Sequence, residues 1–206
     1  GTVWDFTLRE DVSFHDGTKM NANAVKKSID RTIRLGKGAS FIWANIENIE
    51  VVSDYVVRFN CSSPTSVDLL ASAAYAAYII SESACDRDSD WFNSEEGNDG
   101  GSGPYMVKSL VTGDQVIITA YDGYWREWKD NSYKTVVIKK YVESSTRRQL
   151  LETGDAQLAY NFSTTDIAAL KSNEKVDVKY LNTYNNILLF FNSEKPPCNN
   201  EEFRKA

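Results

Sequence analysis

The sequence predicts an α/β chain, and three observations carry that reading. Alternating residues lead into Asp16-Gly17, a strong hairpin signal because glycine accepts positive φ freely. Apolar residues then recur at helical spacing over residues 22–35, with Val25, Ile29, Thr32 and Ile33 on one face and Lys26, Lys27, Asp30 and Arg34 mostly off it. Beyond residue 147, short helical runs interleave with β-rich ones, which is the α/β pattern.

The elements follow in order. Residues 3–8 alternate like a strand, and Val12-Ser13-Phe14 enters the Asp16-Gly17 turn, so a β-hairpin is expected first. Asn21 is placed to cap the helix over 22–35, and Gly36 and Gly38 end it. Residues 46–52 and 55–59 read as a strand pair around Ser53-Asp54, and Pro64 starts an Ala-rich helical stretch through Ala77. Residues 86–103, rich in Asp, Ser, Gly, Glu and Asn, mark the clearest compositional break. After it come a hairpin over 105–110 and 115–120 through Thr112-Gly113-Asp114, and a β-rich run over 135–141. A helix over 147–152 is stopped by Gly154, and another over 164–171 has Ser163 or Thr164 as cap. Residues 158–160, 176–180 and 187–191 read as strands. No repeat of fixed period emerges, which disfavours solenoids and propellers.

At 206 residues the chain can bury a core without a disulfide or metal staple. Hydrophobic residues at 42% and charged residues at 25% are those of a folded, water-soluble protein. With 23 basic against 29 acidic residues the net charge is -6, so the basic footprint of a nucleic-acid binder is missing and no nucleic-acid partner is expected. The longest weakly polar stretch, 71–80, is about half the roughly 20 residues that a membrane-spanning helix requires. Residues 1–6 already alternate like a strand, and 199–206 open a helix with Asn and acids, so both ends are expected to continue into a longer protein. Cys61, Cys85 and Cys198 have no metal-type spacing and are expected to be reduced.

Catalytic arrangements find little material. His15 is the single histidine and stands at the hairpin turn, where packing on or capping the turn is the expected role. A triad would have to use it, and a zinc site would have only that one imidazole, so neither catalytic residues nor a metal is expected, and no cofactor. Asp86-Arg87-Asp88-Ser89-Asp90 resembles the start of a calcium loop but has Trp91 where glycine is needed and Gly97 where glutamate is needed. Gly97, Gly100, Gly101 and Gly103 are spaced too irregularly for a phosphate loop and are expected to make a crossover flexible. Acidic pairs such as Glu47 with Glu50 have no distinguishing context. What stands out is an aromatic excess of 5 Trp, 11 Tyr and 9 Phe, which favours a binding protein over an enzyme.

The order of several motifs supplies more. Trp4-Asp5-Phe6-Thr7-Leu8-Arg9 followed by Val12 to Thr18, then Gly101-Ser102-Gly103-Pro104-Tyr105, Tyr121-Asp122-Gly123-Tyr124-Trp125, Glu152 to Gln157, Phe191-Asn192-Ser193-Glu194-Lys195-Pro196-Pro197 and Phe203-Arg204-Lys205-Ala206 run in sequence along the chain. In this order they resemble the extracellular solute-binding proteins of bacterial ABC importers, family 5, the peptide and nickel type. The chain departs from the family's pattern at Asn21-Ala22-Asn23-Ala24-Val25, which lacks the usual acids, and at Cys198, which replaces an aromatic.

The resemblance implies a periplasmic-binding-protein-like type II fold in which two lobes close around a solute. It implies that residues 1–101 form an accessory subdomain of the first lobe, that 102–206 form part of its α/β core, and that the second lobe lies outside this chain. It also implies capture of an oligopeptide, dipeptide or other small solute, delivery to ABC permease subunits in the membrane, a monomeric protein, and a periplasmic or extracellular location with a lipoprotein anchor. The alternative is a ligand-sensing domain of a regulatory protein on the same fold. Cleft-facing positions implied by the resemblance are Phe41, Trp43, Tyr75, Tyr78, Tyr160, Asn161, Asn185 and Asn186. Amides at strand ends can hydrogen-bond a ligand backbone while aromatics wall it.

Overall fold

Alternation at the start of the chain becomes β1 (Val3–Thr7), whose residues switch between exposed and half-buried along the strand. The computed structural model describes residues 1–72, 77–181 and 188–205. It divides into two compact units, Gly1–Lys140 and Tyr141–Ala206.

In the first unit β1 pairs with β3 (Val56–Cys61), and β3 pairs with β2 (Ile46–Ser53), both antiparallel, in the order β1-β3-β2. The expected pair around Ser53-Asp54 is therefore present, but β1 is not a partner in the opening hairpin. Asp16-Gly17 closes a smaller turn with a single antiparallel bridge, Ser13 to Lys19. Asp16 accepts from the Thr18 backbone amide at 3.0 Å and its hydroxyl at 2.6 Å, so the turn is held by its own side chain. On the β1–β3 ladder Asp5 lies opposite Arg58, and the guanidinium donates to both carboxylate oxygens at 2.7 and 2.8 Å.

Helix α1 (Ala22–Leu35) has the predicted bounds. Asn21 Oδ1 accepts from the Ala24 amide at 2.9 Å, and Gly36 ends the helix at φ 59. Its buried face, Ala22, Val25 and Ile29, meets Trp43, Ile49, Val57 and Phe59 to form the core. Burying a side chain such as Ile29 stabilises by roughly 1.5–3 kcal/mol. A 3-10 turn, Ser40–Trp43, swings Trp43 into this core, where its ring stacks on Phe59 with centroids 6.0 Å apart. Helices α2 (Val67–Ser72), α3 (Glu82–Cys85) and α4 (Ser89–Phe92) follow. Asp88, part of the calcium-like run, caps α4 by accepting from the Trp91 amide at 2.9 Å.

A second antiparallel sheet, β4-β5-β6, is built from β4 (Tyr105–Val111), β5 (Gln115–Ala120) and β6 (Thr135–Lys139). This sheet belongs to the same unit as the elements ahead of the compositional break at 86–103. The reason is a set of bonds that runs through the compositional break. The Gly101 carbonyl accepts from the His15 amide at 2.8 Å, the Gly100 carbonyl accepts from the Ser81 amide at 2.9 Å, and Tyr121 donates its hydroxyl to the Phe14 carbonyl at 2.9 Å. Gly97 and Gly100 are close-packing positions. A side chain at Gly97 would strike the backbone of Lys108, and one at Gly100 would strike the Ala84 methyl.

The second unit carries α5 (Ser144–Thr153), α6 (Thr164–Lys171) and α7 (Glu201–Lys205). Gly154 ends α5 at φ 84, and Ser163 caps α6 by accepting from the Asp166 amide at 3.1 Å. Asn200 accepts from the Glu202 amide at 2.8 Å at the start of α7. Among the described residues, 158–160, 176–180 and 188–191 form no ladder, where strands were expected. Leu158, Leu181, Leu189 and Phe190 are exposed. A strand needs a hydrogen-bonded neighbour, and extended apolar residues without one stay outside any sheet.

Candidate functional site

Two polar constellations hold the loops of the two units, one in each. In the first, the side chain of His15 is 5% exposed, with Nδ1 against Asp99 and Nε2 2.9 Å from the Gly103 carbonyl. Asp99 also accepts from the Gly101 amide at 2.9 Å and the Val107 amide at 2.7 Å. Because a carboxylate and a carbonyl face the two ring nitrogens, the doubly protonated imidazolium is the form that satisfies both. Burial opposes the charge, but Asp99 and the Gly103 carbonyl outweigh it and hold the His15 pKa above its ordinary value. Burial likewise works against ionised Asp99, and the bonds from His15, Val107 and Gly101 bring its pKa below the ordinary value.

The second unit is organised around two neighbouring arginines on α5. Arg148 donates to Asp166 Oδ1 at 2.8 Å, while the hydroxyls of Ser144 and Ser163 donate to Oδ2. Ser144 and Ser163 lead in lowering the Asp166 pKa. Arg147 instead binds backbone. It donates to the carbonyls of Tyr141 and Val142 from one nitrogen and to that of Asn161 at 2.6 Å from another. Asn161 has φ 61, the left-handed region that an L residue other than glycine seldom adopts.

The cleft positions expected from sequence fall into distinct environments. Phe41 is 74% exposed, while Trp43, two residues on, is 2% exposed and belongs to the core. On the same 3-10 turn Phe41 faces solvent and Trp43 packs into the core. Tyr78 is 68% exposed in the first unit, and Tyr160 is 73% exposed beside Asn161 in the second. Tyr75, Asn185 and Asn186 lie outside the described residues. An apolar cavity of about 210 Å³ is lined by Phe6, Ile29, Trp43, Phe59 and others. Ala71 and Ala77 also line it, on either side of residues 73–76, which lie outside the described residues.

The profile of "Bacterial extracellular solute-binding proteins, family 5 Middle" matches residues 1–206. The chain belongs to this family. A relative in Escherichia coli K12, named probable D,D-dipeptide-binding periplasmic protein DdpA, is 32% identical over 98% of this chain and 39% of its own length. The glutathione-binding protein GsiB of Pectobacterium atrosepticum is 28% identical over 100% of this chain and 40% of its own length. Among solved structures, MoaA of A. tumefaciens R10 in complex with mannopinic acid has a TM-score of 0.79 over 96% of this chain and 40% of its own, at 23% identity. A nickel ABC transporter structure from Bacillus halodurans has a TM-score of 0.69 over 84% of this chain and 34% of its own, at 27% identity. The chain thus spans about 40% of the length of the curated relatives it matches. The mixed helix and sheet belong to a periplasmic-binding-protein fold of type II, as the sequence predicts.

Among the described residues no group of three or more His, Cys, Asp or Glu is placed to hold a metal ion. Both nitrogens of His15 are engaged, which leaves its ring no lone pair for a metal. Cys61 and Cys85 are buried free thiols, and burial pushes the Cys85 pKa up, so its reactive thiolate is disfavoured. No helix among the described residues is long and apolar enough to cross a membrane. Sequence reasoning missed Asp99 and Arg147. The one signal for Asp99 was its place beside glycines two residues before Gly101, and Arg147 gave none beyond a helical composition.

Proposed function

We propose that the protein to which this chain belongs is the solute-binding component of an ABC importer, which captures a short peptide between two lobes and delivers it to a permease. The carrying observation is the family match over residues 1–206. The peptide class is supported by relatives named for binding a D,D-dipeptide and glutathione, itself a small peptide. Capture uses closure around the solute and makes or breaks no covalent bond, so the protein acts as a binder and not an enzyme. It acts as a monomer outside the cytoplasmic membrane, anchored there by a lipid.

The chemistry of the exposed positions suits that role. Phe41, Tyr78 and Tyr160 offer aromatic faces, and Asn161 offers an amide that can both donate to and accept from a peptide backbone. Native mass spectrometry of the full-length protein as purified tests the reading, because enclosed solutes survive isolation. Bound mass matching di- to oligopeptides, and a thermal shift with a synthetic peptide pool, are the expected results. A full-length protein that carries no solute and shows no shift with that pool overturns peptide capture. A proteolytically released anchor-free form that fractionates with membranes would overturn the lipid anchor.

A further inference from the structure

We propose that Arg147 is the positioning residue that sets Tyr160 and Asn161 for solute, an inference that rests on the capture reading above. The argument begins with Asn161. It is the one non-glycine residue at positive φ among the described residues. Asparagine is among the L residues that tolerate this region best, yet such a conformation persists only where its surroundings over-determine it.

Arg147 supplies the determination. Its guanidinium joins two stretches of chain by donating to carbonyls in both: Tyr141 and Val142 before α5, and Asn161 before α6. Its carbon lies 5.9 Å from the centroid of the Phe162 ring. Just beyond, Ser163 donates to Asp166 at 2.7 Å and its amide donates to Ser144 at 3.1 Å, which fixes the next residue in turn. Tyr160 and Asn161 therefore end a segment gripped at the Asn161 carbonyl and anchored at Ser163, while both side chains stay exposed. The guanidinium is suited to this because it is a rigid fork of donors, and lysine would offer a single mobile point. Holding a recognition edge in place before solute arrives removes part of the ordering cost of binding.

Arg148 provides the internal control. It lies next in sequence and bonds Asp166 and Glu152 rather than the Asn161 carbonyl. The experiment compares full-length wild type with Arg147→Ala, Arg147→Lys and Arg148→Ala by amide hydrogen exchange without solute and by native mass spectrometry at a fixed concentration of a synthetic di- and tripeptide pool. Arg147→Ala is expected to speed exchange over residues 161–163 at least tenfold and to lower the peptide-bearing fraction at least fivefold. Arg147→Lys is expected to fall between it and wild type in both. Arg148→Ala is expected to lower thermal stability with the peptide-bearing fraction unchanged. Equal exchange and equal loading in wild type and the Arg147 variants overturn the inference, and so does an equal loss of loading in Arg148→Ala. Should Arg147→Ala fail to fold, Arg147→Lys alone decides, with wild-type values in both readouts against the inference. Wild type that loads no peptide sinks the capture reading, while the exchange arm still decides whether Arg147 holds Asn161.

Discussion

The imidazole of His15 and the carboxylate of Asp99 form an ion pair that joins the opening turn to the loop ahead of β4, with the other ring nitrogen on the Gly103 carbonyl. Its pH dependence has two limbs. The His15 pKa is raised, so its contribution is complete below the ordinary imidazole value of 6.5 and is lost as pH rises through the folded value. The Asp99 pKa is lowered, so its contribution is complete above the ordinary value of 3.8 and is lost as pH falls through the folded value. Between those ordinary values the pair stabilises the first unit most. The expected result is a thermal midpoint that declines above the imidazole range in wild type but not in His15→Gln. At slightly acidic pH that variant is expected to lose about 2–4 kcal/mol, because Asp99 is left without its cation. Parallel midpoint curves for the two proteins across the alkaline limb would contradict the assignment.

Gly100 is a packing glycine rather than a flexible one. A methyl group there would strike the Ala84 methyl and stand 3.2 Å from the Ile80 Cβ and 3.4 Å from the Ser81 amide nitrogen. None of these is the far end of a long side chain, so relief requires backbone movement. Gly100→Ala is expected to cost about 1–3 kcal/mol by overpacking. Gly113, at φ 82 with no neighbour within 4 Å, provides the contrast, and Gly113→Ala is expected to cost about 1 kcal/mol by backbone strain alone. Urea denaturation of both variants checks the difference. A smaller loss for Gly100→Ala than for Gly113→Ala would refute the close-packing account.

Local rules made much of the fold legible. Asn21 and Gly36 bracket α1 at the expected residues because capping chemistry is carried by the residues themselves. The same holds for Ser163 ahead of α6 and for the Gly113 turn between β4 and β5. Partner choice was not local. Alternation in residues 3–8 says that a strand forms there, but its pairing with β3 depends on a register about fifty residues away. The 158–160 and 176–180 runs have strand composition and no ladder for the same reason, since composition cannot supply a partner. Of the expected cleft positions, Phe41, Tyr78 and Tyr160 are exposed and Trp43 is buried, so an aromatic excess mixes core with surface. His15 was readable as a turn residue, but Asp99, 84 positions on, was not, because a long-range ion pair leaves no periodic trace.

Phe41 and Trp43 offer the sharpest separation of packing from capture. They share one 3-10 turn, yet Phe41 is open to solvent and Trp43 stacks on Phe59 within the core. Trp43→Ala is expected to cost about 3–5 kcal/mol, the loss of a large buried aromatic with a cavity left behind. Phe41→Ala is expected to change stability by no more than about 0.5 kcal/mol, because the ring has little packing to lose. Binding should rank them the other way at temperatures where both variants are folded. The Phe41→Ala full-length protein should carry less peptide from a synthetic pool with its thermal midpoint kept, and Trp43→Phe should keep both properties. Native mass spectrometry read beside thermal denaturation separates the two effects. Undiminished loading in Phe41→Ala would remove Phe41 from the solute site, and a Trp43→Ala protein as stable as wild type would remove Trp43 from the core that holds the turn in place.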